Sequence, residues 1–327
     1  MTPREIVLAN IEHACPPRPG FTFSGGRRND FHGGGFGRPA GYRKRRWQEG
    51  NREYYDDPWG NLWVRMVGGS AKGEVHTPAL TDWSQLDDLV PPDYTTEESL
   101  GPLRKALSEP TDKFRNVGMG GWVFADARYL RRMDQYFVDM VAHPDELKRL
   151  HEIIARVYEG KIRVAGECGA DGIMFAEDLG TQQGLLFSPA MWRDYFKDLY
   201  GGLFGLAHDY GMKVLMHSCG QNREILPDLL DAGVDVFQFD QPAIYDMDDL
   251  AELLRRRKAA LWAPLDIQKH LPTGDRDLIE REARRLVETF GGGLILTNYP
   301  DLPGIGVAPE WDQWAYEAFC DAAGIDP

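Results

Sequence analysis

Short apolar runs alternate with longer amphipathic segments from residue 113 to the C-terminus. Apolar runs of about four to six residues separated by helices are typical of parallel strands with both faces covered. The pattern predicts strands at residues 115–120, 122–124, 172–175, 214–216, 234–239, 260–264 and 294–296. It predicts helices at residues 131–141, 145–166, 188–210, 223–232, 247–257, 275–290 and 309–323. About seven or eight such βα units favour a closed (β/α)8 barrel over an open doubly wound sheet.

The N-terminal third of the chain has a less regular pattern. Thr2, Pro3 and Glu5 form a helix start, with Thr2 as the N-cap, and predict a short helix over residues 3–13. Residues 16–50 are rich in Gly, Pro and Arg. Such a composition is too broken for regular elements apart from isolated strands.

A tight turn and an aromatic-rich strand follow at residues 57–66, which predicts a β-hairpin over one end of the core. The chain is therefore expected to form one α/β domain over residues 1–327. We expect a single (β/α)8 TIM barrel with an N-terminal helical and β-hairpin extension. Residues 1–112 supply that extension and the Gly/Arg-rich loop, and residues 113–327 supply the main βα repeats.

Polar side chains follow five successive predicted strands, at the point where each strand ends. In a (β/α)8 barrel these carboxyl ends meet at one rim, where active sites lie. The residues at these positions are Glu177, Asp178, His217, Cys219, Gln238, Asp240, Asp266, Gln268, Asn298 and Tyr299. Their recurrence on successive strands indicates a polar pocket.

The segment KVLMHSCG, at residues 213–220, places two metal-binding side chains at the end of an apolar strand. Side chains alternate along a strand, so His217 and Cys219 face the same side. Imidazole nitrogen and thiolate sulfur are both good Zn²⁺ donors, and Gly220 lets the backbone turn away. The alternative is a buried cysteine beside a hydrogen-bonded histidine.

A catalytic zinc site usually has three protein donors and an open position. Glu177 or Asp178, on the preceding strand end, is the best candidate for the third donor. The alternative is that these two acids cap a turn or a helix start. Our assignment takes His217, Cys219 and Glu177 as metal ligands, and Asp178 and Asp240 as catalytic residues.

The Gly/Arg-rich loop offers further polar side chains, because long loops inside compact domains are often functional. Substrate contact and a plain surface role are both open for this loop. The predicted substrate-binding residues are Arg28, Asn29, Gln182, Gln238, Asp266, Asn298 and Tyr299.

The composition and net charge of the chain indicate which kinds of molecule it can bind. The 327 residues are 43% hydrophobic and 27% charged, with a formal net charge of -14 and a pI near 5.1. This composition is ordinary for a soluble globular protein, and the negative charge argues against nucleic acid as a partner. The exception is the segment RKRR at residues 43–46, which suits a solvated loop or a grip on an anionic group.

The remaining sequence features concern location. Four scattered cysteines without a CxxC pair suit a reducing cytoplasm and do not suggest a disulfide framework. Residues 1–13 carry charges among their apolar positions and lack a small-residue cleavage site, so no signal peptide or anchor is expected. No uncharged apolar run approaches the roughly 20 residues of a membrane helix. We expect a cytoplasmic protein without a membrane partner; its oligomeric state stays open, with a homodimer among the options.

Five segments of the chain resemble the uroporphyrinogen decarboxylase-like superfamily. Within it, the chain is most similar to the zinc-dependent methyltransferases that handle methyl groups carried on corrinoids. The segments are TPREIVLANIEH at residues 2–13, DDPWGNLW at 56–63, AEDLGTQQGLLFSP at 176–189, the run from 208 to 242, and FGGGLILTN at 290–298. The HSCG element at 217–220 discriminates between the two groups, because the decarboxylases proper do not resemble this chain there.

The resemblance implies a (β/α)8 barrel in which His217 and Cys219 match two of the methyltransferases' zinc ligands. Family members commonly add a cysteine after the strand that corresponds to residues 294–296, whereas this chain has Thr-Asn-Tyr-Pro-Asp there. The third thiolate is therefore missing, and Cys320 lies in the predicted terminal helix. By this resemblance, Glu177, Asp178 or Asp301 completes the metal site, or the site is altered.

The implied function is a zinc-dependent methyltransferase. It would move a methyl group between a small substrate (a methyl ether, methylamine or thiol) and a corrinoid or thiol acceptor. No corrinoid-binding domain is present in the chain, so the corrinoid would come on a separate partner protein.

Two alternatives stay open. One is a decarboxylase acting on a porphyrinogen-like polyacid, with Arg27, Arg28 and the arginines of residues 43–46 binding carboxylates and Asp30 as the acid. The other is a catalytically inactive, metal-free barrel that binds a ligand.

Overall fold

The computed structural model describes residues 1–68 and 73–327. Its strands are β1 (Gly20–Thr22), β2 (Phe31–Gly35), β3 (Arg46–Glu49), β4 (Arg52–Asp56), β5 (Leu62–Met66), β6 (Glu74–Thr77), β7 (Phe114–Gly118), β8 (Gly172–Ala176), β9 (Lys213–His217), β10 (Val236–Gln238), β11 (Ala260–Ala263) and β12 (Leu294–Thr297). Its α-helices are α1 (Pro3–Ile11), α2 (Glu97–Ser108), α3 (Val123–Arg131), α4 (Met133–Ala142), α5 (Pro144–Glu167), α6 (Pro189–Trp192), α7 (Asp198–Asp209), α8 (Leu226–Ala232), α9 (Met247–Arg257), α10 (Arg276–Phe290) and α11 (Pro309–Ala322).

Eight parallel strands form a nearly closed barrel in the order β1, β12, β11, β10, β9, β8, β7, β2. The two end strands meet through Asp30, whose N–H donates to the Phe21 carbonyl (2.7 Å). The Asp30 carboxylate accepts the Phe21 N–H (2.8 Å) and forms a buried ion pair with Arg18 (2.6 Å). The predicted (β/α)8 barrel is therefore confirmed, and helices cover the outer face of its sheet.

The barrel takes two of its strands from the segment that we assigned to the N-terminal extension. β1 pairs with β12 and β2 pairs with β7, so the barrel repeats do not begin at residue 113. Both strands are short and contain glycine, which leaves no apolar run to detect. The strand predicted at residues 122–124 is also wrong, because α3 begins there; its buried aromatic residues imitate a strand pattern.

The lower end of the barrel is closed by α1. Val7 and Ile11 of this helix pack with apolar side chains from inside the barrel, among them Phe114, Leu215 and Ile295. Thr2 caps the helix as predicted, with its hydroxyl accepting the Glu5 N–H (3.2 Å). Because apolar side chains fill this end, polar side chains are left to the opposite rim, where the parallel strands end.

The predicted hairpin is part of a larger antiparallel sheet with the order β3, β4, β5, β6. Asp57 organises the turn before β5, since its carboxylate accepts N–H groups of Trp59, Asn61 and Trp63 at 2.7 to 3.0 Å. The ring of Trp63 packs against that of Tyr129 in α3, with centroids 4.7 Å apart. This contact ties the small sheet to the rim of the barrel.

The described helices include none that combines the length and the apolar character needed to cross a membrane.

Candidate metal centre

Three potential ligand atoms meet at the carboxyl ends of β8 and β9. They belong to Asp178, His217 and Cys219, and they all lie within 4.8 Å of one another. The His217 Nε2 atom is 3.5 Å from the Cys219 Sγ atom and 3.5 Å from the Asp178 Oδ1 atom. Within residues 1–68 and 73–327, this is the only group of three or more such side chains.

The two distances from the His217 Nε2 atom fit a zinc ion. Zinc bonds of about 2.0 Å to nitrogen or oxygen and about 2.3 Å to sulfur, in tetrahedral geometry, separate neighbouring ligand atoms by roughly 3.3 to 3.5 Å. One imidazole, one thiolate and one carboxylate are also the donor types that zinc accepts. Three protein donors leave a fourth position for a substrate atom. The structure therefore brings together three side chains that could hold a metal ion, without the third thiolate.

Gly220 makes the turn that holds Cys219 at the rim. Its φ is +83°, and a Cβ atom at this position would overlap the carbonyl of Gly180. The backbone N–H of Cys219 also donates to the Asp178 Oδ1 atom (3.0 Å). The loops after β8 and β9 are thus locked together beside the cluster.

Gly220→Ala is expected to lower the free energy of unfolding by about 2 to 3 kcal/mol, because a clash between backbones adds to the cost of a positive φ. Urea unfolding measures this loss. The matched control is Gly41→Ala, whose φ is +69° but whose Cβ would lie in open space. It should cost only about 1 kcal/mol. Equal losses in the two variants would contradict the close contact at Gly220.

The orientation of the His217 ring is fixed by a hydrogen bond of Nδ1, the ring nitrogen on the side away from the cluster. Its Nδ1–H donates to the Gln238 Oε1 atom, and the Gln238 Nε2–H donates in turn to the Asp240 carboxylate (2.8 Å). A hydrogen bond of this kind fixes the orientation of the ring, so that Nε2 faces the cluster. Asp240, predicted as catalytic, therefore acts on the cluster through Gln238 in this structure.

The cluster carries an ion pair. Burial alone would lower the pKa of His217, but hydrogen bonds with Asp178 and Cys219 raise it well above its usual value. Burial would raise the pKa of Asp178, but hydrogen bonds from His217 and from the Cys219 N–H hold it well below its usual range. An imidazolium and a carboxylate thus face each other, and a metal would displace the proton on Nε2.

Glu177 does not belong to the cluster, which corrects our assignment of the third ligand. Adjacent residues at a strand end point to opposite sides, so only one of Glu177 and Asp178 can face His217. The buried Glu177 carboxylate accepts the N–H groups of Phe124 (2.6 Å) and Ala125 (3.1 Å) at the start of α3, and the hydroxyl of Tyr200. It joins the end of β8 to this helix.

Asp266 is likewise a structural residue, contrary to its predicted contact with substrate. It is buried, and its carboxylate accepts the N–H groups of Ala243 (3.0 Å), Gln268 (2.9 Å) and Lys269 (2.7 Å). Asp301, the other acid that the resemblance offered as a ligand, accepts the Gly304 N–H (3.1 Å) instead. Neither acid is part of the described cluster.

Three other predicted substrate-binding residues, Gln182, Asn298 and Tyr299, follow the ends of barrel strands as expected. Tyr299 lies near the cluster: burial raises its pKa, and the charges of Asp240 and Cys219 raise it further. Gln182 donates to Gln241 (2.9 Å). Asn298 accepts the Ser24 N–H (3.0 Å), in the turn after β1.

Arg28 and Asn29 are not brought to the cluster by any described contact. The Arg28 guanidinium donates to the carbonyl of Asp326 near the C-terminus (3.2 Å). The Asn29 side chain accepts the N–H of Phe31, at the start of β2 (2.9 Å). Both side chains serve the packing of the β1–β2 connection, so their predicted role in substrate binding has no support in these contacts.

A cavity of about 510 Å³ lies beside Asp178, between the four-stranded sheet and the barrel rim. Its walls include basic and aromatic side chains, of which our sequence analysis had singled out only Lys44 and Arg46. They are Lys44, Arg46, Tyr55, Trp59, Trp63, Arg65, Tyr94, Arg128, Tyr129, Tyr158 and Lys161. One sequence signal was available: Lys161 lies on the apolar face of α5, among Ile154, Tyr158, Ile162 and Ala165.

The model of the family described as uroporphyrinogen decarboxylase (URO-D) matches residues 62–324. The chain belongs to the uroporphyrinogen decarboxylase family. This membership confirms the resemblance at the level of the superfamily. A family can host several reactions on one barrel, so the reaction has to be argued from the cluster and the cavity.

Two solved structures are similar to this family member, and the first of them supports the barrel fold. A methyltransferase from Methanosarcina mazei is 19% identical, with a TM-score of 0.59, over 77% of this chain and 72% of that chain. D-psicose 3-epimerase from Clostridium cellulolyticum H10 is 11% identical, with a TM-score of 0.44, over 74% and 86%. No curated protein matches the chain. Likeness at these identities concerns the barrel alone.

Proposed function

We propose that this protein is a zinc-dependent methyltransferase. It moves a methyl group between a small methyl ether, methylamine or thiol and a corrinoid or thiol acceptor. The observation that carries the proposal is the cluster of Asp178, His217 and Cys219, whose spacing suits a zinc ion with one open position. Family membership and the likeness to a methyltransferase barrel agree with it.

Zinc held by these three residues would supply Lewis acidity, which stabilises negative charge on the heteroatom of a donor or on a thiol acceptor. The chain's own residues prepare the position. Gln238 keeps the His217 Nε2 atom turned toward the cluster. Arg128, whose guanidinium nitrogen is 3.9 Å from an Asp178 oxygen, offsets the charge of the carboxylate.

In the transfer, the bond between the methyl carbon and the donor heteroatom breaks, and the heteroatom keeps the electron pair. The methyl carbon bonds to the electron pair of the acceptor, either a thiolate or the cobalt(I) of a corrinoid. The heteroatom then takes up a proton. Reactions of this type depend on orientation and exclusion of water, which the walls of the cavity provide.

The corrinoid would arrive on a separate protein that docks over the barrel rim. The three ligand side chains lie at that rim, after the ends of β8 and β9, so a bulky acceptor can approach them from outside. Apolar side chains, among them Phe114, Leu215 and Ile295, fill the barrel interior below.

The decarboxylase alternative depended on arginines that have acidic partners or other contacts in the structure, and those of residues 43–46 pair with Glu98, Asp56 and Glu53. Arg27 forms an ion pair with Asp312 (2.8 Å), and Arg28 is bonded to the C-terminal segment. Asp30, its candidate acid, is bound to Arg18 in the wall of the barrel. We therefore favour methyl transfer.

The direct test is metal analysis of protein purified without added metal, combined with an assay for methylation of cob(I)alamin and of a simple thiol. We expect about one equivalent of zinc per chain, and an X-ray absorption edge that indicates one sulfur and two or more nitrogen or oxygen ligands. Metal-free protein that transfers no methyl group from any donor class, even after zinc is added, would overturn the proposal.

A further inference from the structure

The cavity beside Asp178 also contains a buried cation that the metal cluster does not use. Lys161 is only 6% exposed and lies on α5, where it lines this cavity. Its Nζ atom donates to the carbonyl of Met119. An ammonium group has three N–H donors, so this carbonyl satisfies one of them.

No carboxylate of the described residues lies within ion-pair distance of Lys161. Instead, its Nζ atom lies 4.8 Å, 4.5 Å and 5.4 Å from the ring centroids of Phe36, Tyr94 and Tyr158. Aromatic faces attract a cation but do not neutralise it. Buried lysines are almost always paired, because an isolated buried charge is unfavourable. Burial lowers the pKa of Lys161 to about 8, although the charge of nearby Asp126 raises it, and the ammonium stays protonated at neutral pH.

The acids that line the cavity have other partners. The Asp57 carboxylate is occupied by N–H groups of its own turn. Asp126 accepts the hydroxyl of Tyr158 (2.6 Å) and the indole N–H of Trp59 (3.1 Å), and burial raises its pKa to about 6. Lys161 is thus left without a bonded counter-ion in a cavity wide enough for a small molecule.

Arg128 adds a second donor with spare capacity. It is 8% exposed, and its Nε atom is buried without a hydrogen-bond partner. The guanidinium lies over the rings of Phe124 (5.0 Å) and Tyr129 (5.1 Å) and approaches Asp178. Arg128 therefore lines the cavity next to the metal cluster, and Lys161 lines the same cavity from α5.

The remaining walls suit a flat ring. Trp59, Tyr94, Tyr129 and Tyr158 all line the cavity, and aromatic side chains bind planar ligands through stacked and edge-on contacts. The volume of about 510 Å³ is within the range of sites for small organic ligands.

From these observations we propose that the cavity binds an aromatic carboxylate, with the carboxylate on Lys161 and the methyl-bearing heteroatom directed to Asp178, His217 and Cys219. The substrate class is thus a methoxylated aromatic acid, and Lys161 determines its specificity. The assignment of the heteroatom rests on the proposed methyltransferase function, whereas the carboxylate site does not.

The test measures binding separately from transfer. Isothermal titration of the zinc-loaded protein with benzoate, 4-hydroxybenzoate and 4-methoxybenzoate should give saturable binding of all three. Lys161→Met, which keeps the length of the side chain and removes the charge, should weaken each by about 10- to 100-fold, the value of one charge-assisted hydrogen bond. The matched control is Lys148→Met on the exposed part of α5, which should bind benzoate like the natural protein.

Three outcomes would overturn the aromatic carboxylate site: unchanged benzoate binding by a folded Lys161→Met variant, no benzoate binding at all, or equally tight binding of hexanoate or inorganic phosphate. Unfolding curves and zinc content establish that the variant is intact. If benzoate binding depends on Lys161 but 4-methoxybenzoate and every other donor fail to methylate cob(I)alamin, the proposed methyltransferase function fails while the carboxylate site stands. Transfer from neutral methoxybenzene alone, unchanged in Lys161→Met, would contradict the substrate class but not methyl transfer.

Discussion

Alanine in place of His217 or Cys219 is expected to reduce bound zinc from about one equivalent per chain to less than a tenth of that, because each residue supplies one of three protein donors. Methyl transfer should fall by more than about a hundredfold. In metal sites, even mutation of a residue that only hydrogen-bonds to a ligand lowers metal affinity or activity by about 10- to 100-fold. Mass spectrometry of the metal content and the absorbance change of cob(I)alamin on methylation measure the two effects.

The control separates loss of the metal from loss of a cysteine in general. Cys168, which caps the C-terminal end of α5, is a partly buried free cysteine outside the cluster. Cys168→Ala should keep both zinc and activity. If the His217 and Cys219 variants keep their zinc, the cluster is not the metal site. If they lose zinc but transfer methyl groups at the normal rate, zinc has no part in the reaction.

The hydrophobic periodicity of the sequence was sufficient to predict most strands and helices of the barrel. Strands such as β8 and β9 are apolar runs buried on both faces, and the helices between them, such as α9 and α10, have strongly one-sided patterns. The two glycine-containing strands β1 and β2 were not predicted, because backbone pairing, and not side-chain burial, defines them. The local hydrophobic pattern carries no information about pairing between distant segments.

The sequence could predict which side chains of the candidate site share one side of a single strand, but not which residues of neighbouring strands join them. Alternation placed His217 and Cys219 on one side of β9 without knowledge of any neighbour. The choice between Glu177 and Asp178 depended on which side of β8 faces the barrel axis, and the sequence around β8 is apolar on both faces. Asp266 could not be distinguished from a substrate ligand either, because one of its three N–H partners, Ala243, lies in the connection after β10 and is brought close only by the fold.

The cavity as a whole lay beyond sequence reasoning because many separate segments build it. Arg128 comes from α3, Lys161 from α5 and the aromatic wall in part from the antiparallel sheet. A basic residue on the apolar face of a helix is a local anomaly, yet only the tertiary structure shows that it faces a cavity and not an acidic partner. This distinction separates a ligand site from an internal ion pair.

Glu177→Gln is expected to keep the metal and to change how stability depends on pH. Burial raises the pKa of Glu177 to about 8 from its usual 4.5, against the opposing hydrogen bonds of Tyr200 and of the start of α3. The folded protein therefore holds a proton that the unfolded chain releases above pH 4.5. The protonation of Glu177 therefore makes the free energy of unfolding of the natural protein fall by about 3 kcal/mol as pH rises from about 5 to 8. Above pH 8 this contribution levels off. Glutamine resembles the protonated acid, so its variant should lack this slope.

Glu177→Ala is the second arm of the same experiment. It leaves the N–H groups of Phe124 and Ala125 and the hydroxyl of Tyr200 without their acceptor, which should lower the free energy of unfolding by about 2 to 4 kcal/mol near neutral pH. Urea unfolding of the three proteins from pH 5 to 9, with zinc measured in each, gives both results. A parallel pH dependence in the natural and glutamine proteins would mean that Glu177 is ionised in the folded state. Loss of zinc from the folded glutamine variant would mean that Glu177 is a ligand after all, because glutamine still accepts the N–H groups of Phe124 and Ala125 through its Oε1 atom and can donate to the Tyr200 hydroxyl through its Nε2 atom.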